Sequence, residues 1–201
     1  THTDGTPAVI LDGQLSGAYG ISVSNPTGQT VIENIHIVGC QNPLVVQYCS
    51  VLVTNCIIEN GSGNYGGVVL SSCVATLNAC SVIDNVGTFG GGITVIDQMG
   101  NDASSEVSLI DCVIEDNYGA YPWYAVGGIG LHNGHTTITN CTVKNNIGSG
   151  IGGVGILADA TATVAGTTVC GNVGYKGNTT QISGDYTDNG GNTIAEECPA
   201  D

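Results

Sequence analysis

Residues 107–117 read VSLIDCVIEDN and residues 136–146 read TTITNCTVKNN. Laid over each other without gaps, they agree in kind at the positions that matter. The third residue is aliphatic (Leu109, Ile138), the fifth is Asp111 or Asn140, the sixth is Cys112 or Cys141, and the eighth is aliphatic again (Ile114, Val143). Further segments fit the same frame: TVIENIHIVGC (30–40), VLVTNCIIENG (51–61), ATLNACSVIDN (75–85) and ATVAGTTVCGN (162–172). AVILDG (8–13) fits its first half, with Asp12 in the fifth place. Such self-similarity marks units that bury an apolar face only by stacking on their neighbours.

The columns define the unit. The third reads Ile32, Val53, Leu77, Leu109, Ile138, Val164, and the eighth reads Ile37, Ile58, Val82, Ile114, Val143, Val169. The sixth reads Ile35, Cys56, Cys80, Cys112, Cys141, Thr167. Positions six and eight alternate as a strand does, but positions three and six break that alternation, so a bend lies between them. The fifth column supplies it with Asn34, Asn55, Ala79, Asp111, Asn140 and Gly166. Asn, Asp and Gly tolerate the left-handed backbone that a one-residue corner needs. Ala79 departs from the pattern, and Asn78 beside it is expected to serve instead. Stacked Asn side chains can also hydrogen-bond along the column.

A second strand precedes each block after a glycine corner: GISV (20–23), GGVVL (66–70), GGITV (91–95), GGIGL (127–131) and GVGIL (153–157). From Asp12 onward the fifth position recurs after 22, 21, 24, 32, 29 and 26 residues. The strands are short and β-branched, which excludes helical solenoids, and no leucine-rich frame is present. The expected architecture is all-β: a single-stranded right-handed parallel β-helix, or β-solenoid, of about seven to eight rungs. One domain spans 1–201, with an irregular end-piece over 173–201. At ~4.8 Å per rung the rod is roughly 35–40 Å long. The bare first rung suggests a piece cut from something longer, or ends covered by partners.

Composition narrows the function. The net charge is −15, with no Arg and only Lys144 and Lys176 as basic residues. Binding to nucleic acid requires cations to displace counterions, so it is excluded, and an anionic membrane would repel the chain. No apolar run approaches the ~20 residues of a membrane span.

The cysteine columns (Cys56, Cys80, Cys112, Cys141; and Cys49, Cys73) lie at a spacing inside the Cα window for disulfides. For the four-member column the reading preferred is small buried thiols in a narrow core. Disulfide candidates are Cys170 with Cys198, which would pin the tail, and Cys49 with Cys73. No C-x-x-C or Cys/His pair has metal-ligand spacing.

Function would sit in the irregular loops. Residues 97–106 and 118–126 depart most from the repeat, and the second holds Tyr118, Tyr121, Trp123 and Tyr124, candidates for stacking on sugar rings or a partner. Glu59, Asp84, Glu115 and Asp116 fall in adjacent columns, where a carboxylate pair could hydrolyse glycosides. Glu115 and Lys144, in one column on neighbouring rungs, read more simply as an ion pair. Calcium could bind between acidic corners, but no RTX or EF-hand pattern is present and no cofactor is expected.

Blocks such as VTNCIIEN, LIDCVIEDN and TITNCTVKNN resemble the pectate-lyase-like right-handed β-helix repeats of large secreted bacterial proteins. The closing VCGN (169–172) and ISGDYTDNGGNTIAEECP (182–199) resemble the last rung and end-piece of such domains. The resemblance implies the fold and an extracellular or cell-surface location, and a calcium-binding dockerin-like repeat often follows at this point. It does not carry over catalysis. Lyases of this kind use an arginine base, which is missing here, and no polygalacturonase-like Asp cluster is found. The function expected is an extracellular structural or adhesive module, non-catalytic, contacting glycans or further copies end-to-end or side by side. The alternative is a polysaccharide-binding or polysaccharide-degrading domain.

Overall fold

The computed structural model describes residues 9–14, 17, 19–96, 104–121 and 125–200. The chain winds as an all-β solenoid whose strands stack in register into four parallel sheets. Sheet 1 has eight strands: Val9–Asp12, Ile35–Val38, Ile57–Glu59, Ser81–Ile83, Val113–Glu115, Thr142–Lys144, Thr168–Cys170 and Thr193–Ala195. Sheet 2 has seven, from Gln29–Glu33 through Glu106–Ile110 to Tyr186–Asp188, and sheet 4 has seven, from Ile21–Ser24 through Ile129–Leu131 to Ile182–Ser183. Sheet 3 has four two-residue strands: Ser62–Gly63, Val86–Gly87, Tyr118–Gly119 and Ile147–Gly148. A full rung runs through sheets 2, 1, 3 and 4 in that order.

The third and eighth columns lie entirely in one aliphatic core, joined by the inward residues of sheet 4 such as Leu44, Leu70, Ile93 and Leu131. Each buried aliphatic side chain contributes about 1.5–3 kcal/mol relative to exposure. The glycine pairs before sheet 4 permit close backbone stacking: a Cβ on Gly91 would sit 2.6 Å from the carbonyl oxygen of Gly127.

Three details differ from the sequence reading. Val9–Asp12 pairs with Ile35–Val38, so Asp12 lies opposite Val38, in the ninth position and not the fifth. The motif VILD fits both halves of the repeat in polarity, and only pairing decides between them. Sheet 4 also includes Leu44–Gln47, which follows Pro43 without a glycine pair. And the segment 173–201, expected to be irregular, adds Ile182–Ser183, Tyr186–Asp188 and Thr193–Ala195 to three of the sheets.

The fifth column is left-handed at every rung: φ is 56° at Asn34, 51° at Asn55, 52° at Asp111, 52° at Asn140 and 57° at Gly166. Ala79 itself takes the corner at φ 51°, while Asn78 stays in the strand Val74–Asn78. The register of the sheets on either side leaves no freedom to move the bend by one residue. Asn55 Nδ2 donates to Asn34 Oδ1 at 2.7 Å, as stacking suggested.

Hydrogen bonding reverses across this corner. The corner residue's N–H points to the following rung, as from Ala79 to Ile110 O (2.9 Å), and that of the residue two places on points to the preceding rung, as from Ser81 to Cys56 O (2.9 Å). The N–H between them finds a side chain. Cys112 N donates to Cys141 Sγ (3.4 Å), Cys141 N to Thr167 Oγ1 (3.2 Å) and Thr167 N to Asn192 Oδ1 (2.9 Å). Each side chain has two carbonyls within reach of its single hydrogen: Ile110 O and Leu77 O for Cys112 Sγ, Thr139 O and Leu109 O for Cys141 Sγ, Ala165 O and Ile138 O for Thr167 Oγ1. The sixth column is therefore a donor–acceptor ladder in which Cys and Thr are interchangeable, and not merely a column of filler thiols.

A second corner repeats the design. Position ten is left-handed at Gly39, Asn60, Asp84, Asp116, Asn145 and Gly171, with φ between 53° and 66°. Position eleven holds a buried amide ladder of Asn85, Asn117, Asn146 and Asn172, ending on Gln181. Asn85 N and Nδ2 both donate to Asn117 Oδ1 (3.0 Å each), Asn117 N and Nδ2 to Asn146 Oδ1 (3.0 and 2.9 Å), and Asn146 N and Nδ2 to Asn172 Oδ1 (2.8 and 2.9 Å).

Urea unfolding of single variants tests this account. Asn117→Ala, which leaves the Asn85 N–H without its acceptor and takes one donor from the Val82 carbonyl, should cost about 3 kcal/mol or more; Cys112→Thr should be within about 1 kcal/mol of the parent, and Cys112→Val worse than Cys112→Thr by about 1–2 kcal/mol. Ala79→Asn should stabilise by about 1 kcal/mol, because it relieves a left-handed alanine and extends the Asn34–Asn55 stack.

Candidate functional site

Of the aromatic candidates, Trp123 and Tyr124 lie outside the described residues. Tyr121 and Tyr118 take places in two different columns. Tyr121 is the last of three stacked rings: Tyr65 and Phe89 are 5.6 Å apart between centroids, and Phe89 and Tyr121 are 5.0 Å apart. The backbone sets this register, with Phe89 N donating to Asn64 O and Tyr121 N to Thr88 O. Tyr118 pairs with Val86 and Ile147 along sheet 3, three residues before the ring column. Val86, Phe89, Tyr118, Tyr121 and Ile147 are each 40–48% exposed. The strip thus crosses several rungs and is not confined to one loop. In the sequence Tyr65 and Phe89 are marked by place: each directly precedes a glycine corner, as Tyr65-Gly66-Gly67 and Phe89-Gly90-Gly91.

Beside the strip runs the exposed corner column Asn60, Asp84, Asp116, Asn145, two residues before Ser62, Val86, Tyr118 and Ile147 respectively. Where sheet 3 begins, Ser62 and Val86 line a shallow notch with Val38 and Gly39.

The carboxylates flagged by sequence do not converge as one pair. Asp84 and Asp116 form corners. Glu59 Oε1 lies 3.0 Å from His36 Nε2, and Glu115 Oε2 lies 3.0 Å from Lys144 Nζ, the ion pair that the repeat spacing suggested. Burial, then the charges of Glu115 and Asp84, hold the Asp116 carboxyl above its ordinary value, with Lys144 and Asn145 opposing. Among the described residues no three His, Cys, Asp or Glu side chains gather as metal ligands do.

The cysteines divide. Cys170 and Cys198 form a disulfide that ties the last residues to sheet 1, with Cα atoms 4.9 Å apart. Cys49 and Cys73 remain thiols, one rung apart, with Val74 N on Cys49 O (3.0 Å). In-register neighbours point their Cβ atoms the same way at ~4.8 Å, wider than the usual Cβ separation of a disulfide. Cys56, Cys80, Cys112 and Cys141 are buried in the ladder. Hydrogen bonds between neighbouring thiols push Cys80 and Cys141 up and pull Cys56 and Cys112 down, with burial adding to the first pair and opposing the second. Sealed from solvent, none of them is placed to attack a substrate.

Comparison with known proteins bears on the fold. A family model described as "Right handed beta helix region" matches residues 10–173, most of the chain. The chain belongs to the right-handed β-helix family. The match covers VTNCIIEN, LIDCVIEDN and TITNCTVKNN but ends before the end-piece 182–199, and it assigns no activity to this β-helix. A search of curated proteins found no match. Among solved structures, one similar chain is QnrB1, a plasmid-mediated fluoroquinolone resistance protein, at 13% identity over 94% of this chain and 83% of that one. Its TM-score of 0.26 is too low to carry an argument.

The raised Asp116 has a definite pH signature. Its folded value lies above the unfolded one, so folding disfavours the carboxylate; the cost is absent below the unfolded value and fully present above the folded one. Asp116→Asn, which keeps a residue suited to the corner, should raise the thermal midpoint at neutral pH. The advantage should vanish as the pH falls below the ordinary carboxylate range.

Proposed function

We propose that this β-helix is a non-catalytic structural or adhesive module of an extracellular protein. The observation that carries this reading is how its repeated polar residues are used. The Asn85–Gln181 amides, the Cys56–Asn192 column and the corner residues Asp84, Asp111 and Asp116 all bond or bend within the rod itself. The Cys170–Cys198 disulfide suits an oxidising compartment such as the cell exterior. The aromatic strip provides a contact face on this rigid frame.

A second reading, a polysaccharide-degrading domain, is favoured by one observation: Asp116, with its raised carboxyl, adjoins Glu115 and neighbours Asp84. A raised carboxyl beside an ionised one is the pattern of a general acid and its partner.

The two readings separate in a single assay. The full chain is incubated with polygalacturonate, xylan and mixed-linkage β-glucan, and reducing ends are measured; beads coated with the protein are scored in parallel for retention on the insoluble forms. A module of the proposed kind retains beads and releases no reducing ends. Release that is abolished by Asp116→Asn or Glu115→Gln would overturn the proposal in favour of the degrading enzyme.

A further inference from the structure

The apolar strip on sheet 3 has a chemistry of its own, and what it would bind goes beyond the adhesive reading while resting on it. Three rails run parallel to the rod axis. The first is polar and exposed: Asn60, Asp84, Asp116, Asn145. The second is Ser62, Val86, Tyr118, Ile147, set in register by the pairing of sheet 3. The third is the ring stack Tyr65, Phe89, Tyr121. Between the first two lie Gly61 and the buried amides Asn85, Asn117 and Asn146, and between the last two the glycines Gly63, Gly87, Gly119 and Gly148, which put no side chain into the space between the rails. At ~4.8 Å per rung, the four rungs of sheet 3 span about 14 Å from first to last.

We propose that this strip is a track for a neutral, linear glycan lying along the solenoid axis. A sugar chain presents apolar C–H faces and hydroxyls in short alternation. Here the aromatic and aliphatic rails meet the first, and the amide and carboxylate oxygens of the corner rail accept hydrogen bonds from the second. The ring stack and the sheet hold the apolar groups in place before binding, which lowers the ordering cost.

Charge selects among occupants. The chain carries −15, so polyuronates, nucleic acids and anionic lipid surfaces are repelled. A second copy on this face would bring two Asp84 and Asp116 rails together. The two lysines offer no relief, because Lys144 is paired with Glu115 and Lys176 lies over the ring of Tyr175. The middle of the strip carries no charge, which gives a cationic peptide less to hold than the carboxylates elsewhere on the rod.

The test is titration calorimetry of the full chain with cellohexaose, xylohexaose, mannohexaose and laminarihexaose, with hexagalacturonate as the anionic comparison. Tyr118→Ala/Tyr121→Ala is compared with the parent, Ile147→Ser probes the same strip with a milder change, and Val31→Ser on sheet 2 is the remote control. Circular dichroism and the thermal midpoint confirm folding. At least one neutral hexaose should bind, about tenfold or more weakly in the double variant and measurably more weakly in Ile147→Ser, with Val31→Ser unchanged and hexagalacturonate inert. The proposal is overturned if no neutral hexaose binds at millimolar concentration, or if the folded strip variants bind as the parent does. It is also overturned if sedimentation shows a dimer that these variants dissociate and the hexaoses do not. Beads that adhere without hexaose binding would sink the track and leave the adhesive module standing; release of reducing ends would sink the module.

Discussion

One backbone N–H at each of two corners governs this structure. The N–H of the left-handed residue bonds up the rod, and that of the residue two places on bonds down it. The residue at the reversal points its N–H at a neighbour that offers no carbonyl. Such a group, buried and unmet, costs about 1–3 kcal/mol, and it recurs on every rung. A side chain from the next rung meets it. That side chain must be short, must accept from below and can give its own hydrogen to nearby carbonyls. Thr167 does this with a hydroxyl, Cys112 and Cys141 with a thiol, and Asn117 and Asn146 with a carboxamide. Asn192 and Gln181 close the two columns.

This requirement explains why the chain is rich in residues that look chemical: the rod uses them to bond and bend its own backbone. A column of four cysteines suggests redox or metal chemistry. In place, each thiol is a weak hydroxyl substitute, within reach of two carbonyls and shut away from solvent. Paired acids on adjacent rungs suggest a hydrolase. In place, Asp84 and Asp116 supply corners, and Glu115 is held by Lys144. The outward surface of sheet 3 and the rings that follow it are not committed in this way.

The parts of the fold legible in the sequence were those set by local chemistry. The third and eighth columns are aliphatic because they face the core, and the fifth favours Asn, Asp and Gly because the corner is left-handed. Ala79 shows the limit of that logic: it has no local preference for the corner, and the paired strands on both sides force it there. VILD at residues 9–12 shows another, since a four-residue alternation fits either half of a rung until its partner is known. The amide ladder was visible as Asn85, Asn117, Asn146 and Asn172 at the ends of the aligned blocks, but an Asn at a loop edge reads as a turn residue unless the reversal of hydrogen bonding is known.

The sequence by itself determined that the chain is a stack of β rungs, where its core columns lie, that its tail cysteines are suited to each other, and that its net charge is strongly negative. Those properties follow from polarity, spacing and charge, which need no coordinates. Only the tertiary structure decided that Tyr65, Phe89 and Tyr121 form one stack, that Cys49 and Cys73 stay apart, and that Asp116 is a corner before it is an acid. Each of these depends on the register between rungs separated by more than twenty residues of chain, and register is fixed by the backbone ladders of all four sheets together.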